Sequence, residues 1–218
     1  MPRIDDYLGA LTLAREQLAA EPFERILARS GFEPADGSAL CVPFLNRVYR
    51  VSGTGFEFVD AATAARDVPL QEQILILHYL MARSPAAVAG DWVAYREIPG
   101  AAFYFGAFVK RAIDPLKKAF GRNVAGLVAA AGRLMGRPVE PGDAGFEFRV
   151  LPKVPLRLIL YAGDAEFAPE ANILFDRSIG GMMSWSNASI QVNCDVCIAM
   201  AVPIRVQSIR CPLPVFSR

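Results

Sequence analysis

Apolar residues recur at helical spacing from the start of the chain: Tyr7, Leu8, Leu11, Ala14 and Leu18 share a face and predict an amphipathic helix. Pro22 suits the first turn of a second, short helix carrying Phe23, Ile26 and Leu27, and Gly31 is its natural stop. Ala39 to Val51 and Phe56 to Val59 are rich in β-formers, and the Ser52-Gly53-Thr54-Gly55 turn between them predicts an antiparallel hairpin. Leu70 to Met81 is apolar nearly all round, which predicts a buried central helix with Pro69 in its first turn and Asp67 as a cap. Trp92 to Ile98 reads as a strand ended by Pro99-Gly100, and Phe103 to Phe120 as a helix that Pro115 kinks or restarts, with Asp114 as the new cap.

Further along, Val124 to Met135 predicts a helix presenting Val124, Leu127, Val128, Ala131, Leu134 and Met135, and Gly136 closes it. Phe146 to Leu151, Leu156 to Tyr161 and Ala171 to Phe175 predict strands, the last two joined by the acidic connection Gly163 to Glu170. Hairpins and helices come in blocks rather than in strict βαβ alternation. The expected fold is therefore α+β: a single domain, mainly an antiparallel sheet with covering helices, followed by an irregular C-terminal tail.

That tail is a break in composition. Residues 180–218 hold three arginines and Asp195 but no lysine or glutamate, and they carry Cys194, Cys197 and Cys211 where all that precedes them has only Cys41. The expected division is a domain over 5–179 and an atypical tail over 180–218. The change in character at Gly180-Gly181-Met182-Met183-Ser184-Trp185 reads as translation in a shifted frame or a sequencing error; the alternative is a divergent natural tail.

Charge and hydropathy narrow the function classes. Against 23 lysines and arginines stand 22 acidic residues, a net charge of +1, so no global field attracts nucleic acid or an anionic membrane. Mean hydropathy is +0.28, yet the longest apolar stretches, Ile74–Ala82 and Val196–Ile204, are about half a bilayer crossing of roughly 20 residues. Met1-Pro2-Arg3-Ile4-Asp5-Asp6 runs straight into charge without an apolar signal segment, and the expected setting is cytoplasmic. Partners are accordingly expected among proteins or small molecules, not nucleic acids or membranes.

Chemistry-bearing motifs are few. No Gly-x-Ser-x-Gly elbow, phosphate-binding loop or dinucleotide fingerprint occurs, and no cofactor is expected. Cys194-Asp195-Val196-Cys197 has metal-ligand spacing, but a closed site needs four ligands and the tail has no histidine. His78, the sole histidine, lies in Ile74-Leu75-Ile76-Leu77-His78-Tyr79-Leu80 and reads as a buried, neutral, hydrogen-bonded imidazole. Phe103, Tyr104, Phe105 and Phe108 read as core aromatics, with a ligand-cleft wall as the alternative.

The candidate catalytic set is Asp164, Glu166, Arg96 and Glu97. Asp164 and Glu166 sit in one loop where they either hold a cation or a partner's arginines, or else cap the loop or pair with Arg96, Arg111 or Lys153. Arg96 offers a planar fork for a carboxylate or phosphate just before a Pro-Gly turn. On a strand, alternation puts Trp92, Ala94, Arg96 and Ile98 opposite Val93, Tyr95 and Glu97, so Arg96 and Glu97 need separate partners, Arg111 with Glu97 or Asp164 with Arg96. An antiparallel pairing of Leu156–Tyr161 with Ala171–Phe175 leaves Asp164 and Glu166 in the connection and sends Asp176 to the other end, near Pro155.

Five segments follow one another in a familiar order: Ala28-Arg29-Ser30-Gly31; Ile74 to Leu80; Trp92 to Gly100; Phe108-Val109-Lys110-Arg111; and Gly163-Asp164-Ala165-Glu166-Phe167 through Ile173-Leu174-Phe175-Asp176. In these the chain resembles, over about residues 5–179, a prokaryotic family catalogued as domain of unknown function 3786. The resemblance implies a cytoplasmic protein of an anaerobic bacterium or archaeon, without an assigned activity. Some relatives carry an iron–sulfur domain like that of corrinoid proteins, which points toward anaerobic one-carbon chemistry; no such domain stands in this chain. Relatives continue past the Leu-Phe-Asp strand into a leucine-rich helix, and this chain does not. Two functions follow as expectations: a non-enzymatic binding or accessory domain in anaerobic metabolism, or an enzyme using a carboxylate–arginine site on a small anionic substrate.

Overall fold

A computed structural model describes residues 4–36, 38–64, 67–82 and 87–182. It is α+β and is built on two antiparallel sheets. Helices α1 (Ile4–Ala19) and α2 (Phe23–Ser30) lead into β1 (Glu33–Ala35), β2 (Ala39–Phe44), β3 (Arg47–Ser52) and β4 (Phe58–Asp60), which form a four-stranded sheet in that order. Helix α3 (Leu70–Met81) connects to β5 (Trp92–Ala94); helices α4 (Phe105–Phe108), α5 (Asp114–Phe120) and α6 (Val124–Arg133) follow. Strands β6 (Arg137–Val139), β7 (Ala144–Leu151), β8 (Val154–Tyr161) and β9 (Glu170–Asp176) complete a second sheet, ordered β5-β9-β8-β7-β6, and α7 (Ile179–Met182) ends the described chain.

Helix α3 keeps its expected bounds because a run of Leu, Ile and Tyr has only an interior to go to: Ile74, Leu75, Ile76, Leu77 and Leu80 are buried against α1 and α2. Pro69, not Asp67, occupies its N-cap position, and no side chain caps it. His78 is half-buried rather than buried, because it falls on the rim of that face. Leu11, Ala14 and Leu18 are the buried face of α1, and Leu8 is exposed. Gly31 ends α2 in the left-handed region, φ 72°, which only glycine adopts without strain.

The stretch 39–51 turns back on itself. Leu45 and Asn46 reverse the chain between β2 and β3, so Ala39 faces Ser52 and Phe44 faces Arg47, and the Ser52–Gly55 turn serves the next pair, β3 with β4. Leu45 takes a positive φ of 52°, and its N–H donates to the Val150 carbonyl at 3.3 Å. That carbonyl lies where the β7–β8 register slips between Arg149 and Leu151, with Pro155 opposite Arg149. A bulge is where a strand can hold a proline, and the carbonyl it sets free ties one sheet to the other. The edge strands are three residues long, and β1 and β6 carry Pro34 and Pro138, which blunts them against strand addition.

Three expectations for the second half change. The strand from Trp92 stops at Ala94, and Tyr95–Glu97 form a 3₁₀ turn. At Pro115 the helix restarts as expected, by way of a π turn: residues Val109–Ile113 widen directly before α5, and Pro115 stands in the first turn of α5, where its missing N–H is tolerated. Asp114 is therefore a helical residue, bonded to Lys117 at 3.3 Å, and not a cap. In α6 the inward face is Leu127, Ala130 and Ala131, continued by Leu134; Val128 lies on the outer face, and Met135 is exposed beyond the helix end at Arg133, with a left-handed φ of 60°.

The core of the second sheet is aromatic. Tyr95 stacks on Phe108 with ring centroids 4.2 Å apart, and both meet Phe175 on β9. Phe103 departs from the core expectation: at 87% exposure it stands out of the surface. Among the described residues no helix is long and apolar enough to cross a membrane.

Candidate functional site

The acidic connection is a closed, pinned loop. The Asp164 carboxylate accepts the amides of Glu166 and Phe167 at 2.8 and 2.7 Å, and the Asp164 N–H donates to the Phe167 carbonyl at 3.0 Å. Those amides of Phe167 and Glu166, with Arg122 nearby, hold the Asp164 carboxyl below its usual range. Gly163 donates to the Gly121 carbonyl at the end of α5, and Arg122 donates to the Asp164 carbonyl. Pro169 packs so close to Gly121 and Gly163 that a Cβ on either would sit about 2.6 Å or less from its ring. These bonds and contacts brace the loop, and its exposed residues include Glu166 and the ring of Phe167, which is 69% exposed.

Arg96 and Glu97 lie elsewhere and are used locally. The Glu97 carboxylate accepts the Ala94 N–H at 2.7 Å, which is what turns the chain out of the strand after Ala94. The Arg96 guanidinium lies 3.7 Å above the ring of Phe105. Glu97 is near enough to Arg177 to raise its pKa, after the larger effect of Asp91, and Arg177 follows the Asp176 end of β9. Asp164 and Glu166 lie beyond the Glu170 end, where Tyr161 faces Glu170. Seven residues of strand separate those ends, about 20 Å at the usual rise. The four candidates do not converge on one cleft. Replacing Glu97 with alanine is expected to cost about 1 kcal/mol through the freed amide; replacing it with glutamine, which can still accept that bond, costs less, as chemical denaturation would show.

Asp176 does fall at the opposite end of the hairpin, as its register demands, and it is buried at 1% exposure. Its oxygens accept the amides of Ala89, Gly90 and Ser178 at 2.9, 2.7 and 3.0 Å. Burial pushes its carboxyl up, but Ser178 and those amides pull harder, and the net shift is downward.

A polar junction had no counterpart among the sequence-level candidates. Arg29 grips Glu21 through both carboxylate oxygens at 2.6 Å and donates twice to the Leu80 carbonyl at 3.0 and 2.6 Å. Tyr79 donates to the Ser30 carbonyl at 2.5 Å, with burial pushing its phenol up to about 12; Lys153 donates to the Arg29 carbonyl. A second network joins Arg47, Tyr49 and Glu72, and burial and the Glu72 carboxylate drive the Tyr49 phenol well up.

The model of the family described as Domain of unknown function (DUF3786) matches residues 22–197. The chain belongs to that family. The match passes the composition break at Gly180 and stops at Cys197. No curated protein and no solved structure matches the chain.

In this DUF3786 domain the segments that carried the resemblance sort into two kinds. Ala28–Gly31 and Ile74–Leu80 meet each other at the Arg29 junction; Trp92–Gly100, Phe108–Arg111 and Ile173–Asp176 meet in the Tyr95–Phe108–Phe175 stack and the β5–β9 pairing. Gly163–Phe167 is different, since its hydrogen bonds are spent on fixing its own shape and its largest side chain faces water. The signal the sequence offers for Phe167 is its setting, a large aromatic in an acidic loop between Gly163 and Pro169. Among the described residues no group of three or more His, Cys, Asp or Glu could hold a metal ion. Cys194, Cys197, Cys211 and the frame-shift reading of the tail fall outside the described residues.

Proposed function

We propose that this DUF3786 protein is a non-enzymatic, cytoplasmic accessory domain of anaerobic metabolism that docks onto a partner protein through the 163–170 loop. The observation that carries the reading is Phe167, a large aromatic left 69% exposed on a loop whose shape is braced by the Asp164 hydrogen bonds. Prepaid order and a rigid aromatic anchor are what a binding hot spot needs. Asp164, Glu166 and Glu170 are exposed on the same loop as Phe167, which suits a partner socket that is apolar with a basic rim. The anaerobic setting, and a place near iron–sulfur or corrinoid one-carbon chemistry, come from the family resemblance. The enzyme alternative, a carboxylate–arginine site for a small anion, is less favoured because Asp164, Arg96 and Glu97 already serve the fold.

A photo-crosslinking amino acid at position 167, expressed in the native host, is expected to trap a defined protein that the same probe at Val128 does not. Phe167→Ala is expected to weaken capture of that protein at least about tenfold while changing stability by no more than about 0.5 kcal/mol. Equal trapping from both positions, or unchanged capture by Phe167→Ala, would overturn the proposal.

A further inference from the structure

The cleft where the end of α1 meets α2 is separate from the loop and has its own chemistry. It encloses about 430 Å³ and is lined by Gln17, Ala20, Glu21, Arg25 and Arg29. That is room for a small metabolite or its charged head, not for a peptide segment.

The charges in the cleft are not balanced. Glu21 is its carboxylate, and both Glu21 oxygens face Arg29, so the pair is neutral as a unit. Arg29 is only 13% exposed and is held from two directions, by Glu21 and by the Leu80 carbonyl. Those bonds use four of its five N–H groups and leave one on Nη1. Arg25 is exposed, and its guanidinium has neither an ion pair nor a hydrogen bond among the described residues. One turn of α2 separates it from Arg29, which places both on one face of the helix.

We infer that this cleft binds a small oxyanion, the phosphate or carboxylate group of a metabolite. Arg25 supplies the charge and a planar fork that matches such a group; the remaining Arg29 N–H and the Gln17 amide supply further donors. The Arg29–Glu21 pair does two things for the site. It removes the repulsion that a free Glu21 carboxylate would exert on an anion, and it fixes one donor in place before the ligand arrives.

Arg25 takes no part in the helix junction, so the site can be tested without unfolding the protein. Sodium phosphate titrated into the full chain by calorimetry, with ionic strength held constant by sodium chloride, is expected to reveal one saturable site. Succinate in a parallel titration distinguishes the two oxyanions: tighter phosphate binding assigns a phosphorylated ligand, and tighter succinate binding a carboxylate. Arg25→Gln is expected to weaken the preferred anion at least about tenfold, Arg25→Lys to retain part of the affinity, and both to melt within about 2 °C of the wild type without anion. Absence of saturable binding by either anion to the wild type, or equal affinity in Arg25→Gln, overturns the inference.

Discussion

Asp176→Ala is expected to destabilise the protein by about 3 kcal/mol, because it removes a buried carboxylate that accepts three amides and leaves the buried Ser178 N–H without an acceptor. The carboxylate is 1% exposed and accepts from Ala89, Gly90 and Ser178, holding the segment that enters β5 against the end of β9. Two neighbouring amides, Ala89 and Gly90, bind one oxygen each, an arrangement that a neutral side chain cannot copy. Asp176→Asn keeps one acceptor but turns an NH₂ group toward an N–H donor, so it recovers only part of the loss. The same residue sets a pH dependence. Its folded pKa lies below the ordinary value, so its contribution is whole above the unfolded aspartate pKa of about 3.9 and is lost as pH falls from there through the lowered folded value. Urea midpoints measured between pH 7 and pH 3 should fall more steeply for the wild type than for Asp176→Ala, and the two curves should approach each other in acid. Parallel curves would sink this account.

Arg29→Met is expected to cost about 2 to 3 kcal/mol, less than a fully buried ion pair would, because Glu21 keeps a third of its side-chain surface in water. Methionine matches the aliphatic stem, so the loss reports the guanidinium. What is lost is a three-way tie: the turn carrying Glu21, helix α2, and the C-terminal carbonyl of Leu80 on α3. A lysine in its place restores the charge but not the fork, and it cannot reach two oxygens and a carbonyl together, so Arg29→Lys should recover less than half of the loss. For a domain of this size the methionine variant corresponds to a melting temperature lower by about 5 to 10 °C. A second substitution, Glu21→Gln, separates pairing from packing: if the ion pair carries the effect, adding it to Arg29→Met costs little more. Full additivity of the two losses would refute the coupling.

Local signals were enough where one residue type had one place to go. The apolar run from Ile74 to Met81, following a proline, could only be the buried helix α3, and two β-rich runs flanking an acidic loop could only be a hairpin with Asp164 and Asp176 at opposite ends. Where two local tendencies compete, the sequence is ambiguous. Trp92-Val93-Ala94-Tyr95 favours a longer strand, yet Glu97 captures the Ala94 amide and ends it, and this also dissolves the alternation on which the faces of Arg96 and Glu97 were assigned. At Pro115 a kink and a restart were both open, and the structure takes the restart, through a π turn at Val109–Ile113 that keeps Phe108 and Ala112 in the core.

The sequence by itself determined the α+β class, the membership in the family, the central helix, and the hairpin that separates the two groups of carboxylates. The fold class, the helix and the hairpin rest on local spacing, the range over which periodicity acts, and the family on the order of five motifs along the chain. Only the tertiary structure decided that Arg29 closes a junction with Leu80, that Asp164 is spent on its own loop, that Phe167 stands in solvent, and that Arg25 lines a cleft whose carboxylate, Glu21, is held by Arg29. A side chain's chemistry is settled by the partners that fill its hydrogen bonds and by the water it keeps. For Arg29 the Leu80 partner lies 51 residues away along the chain, far beyond any local pattern.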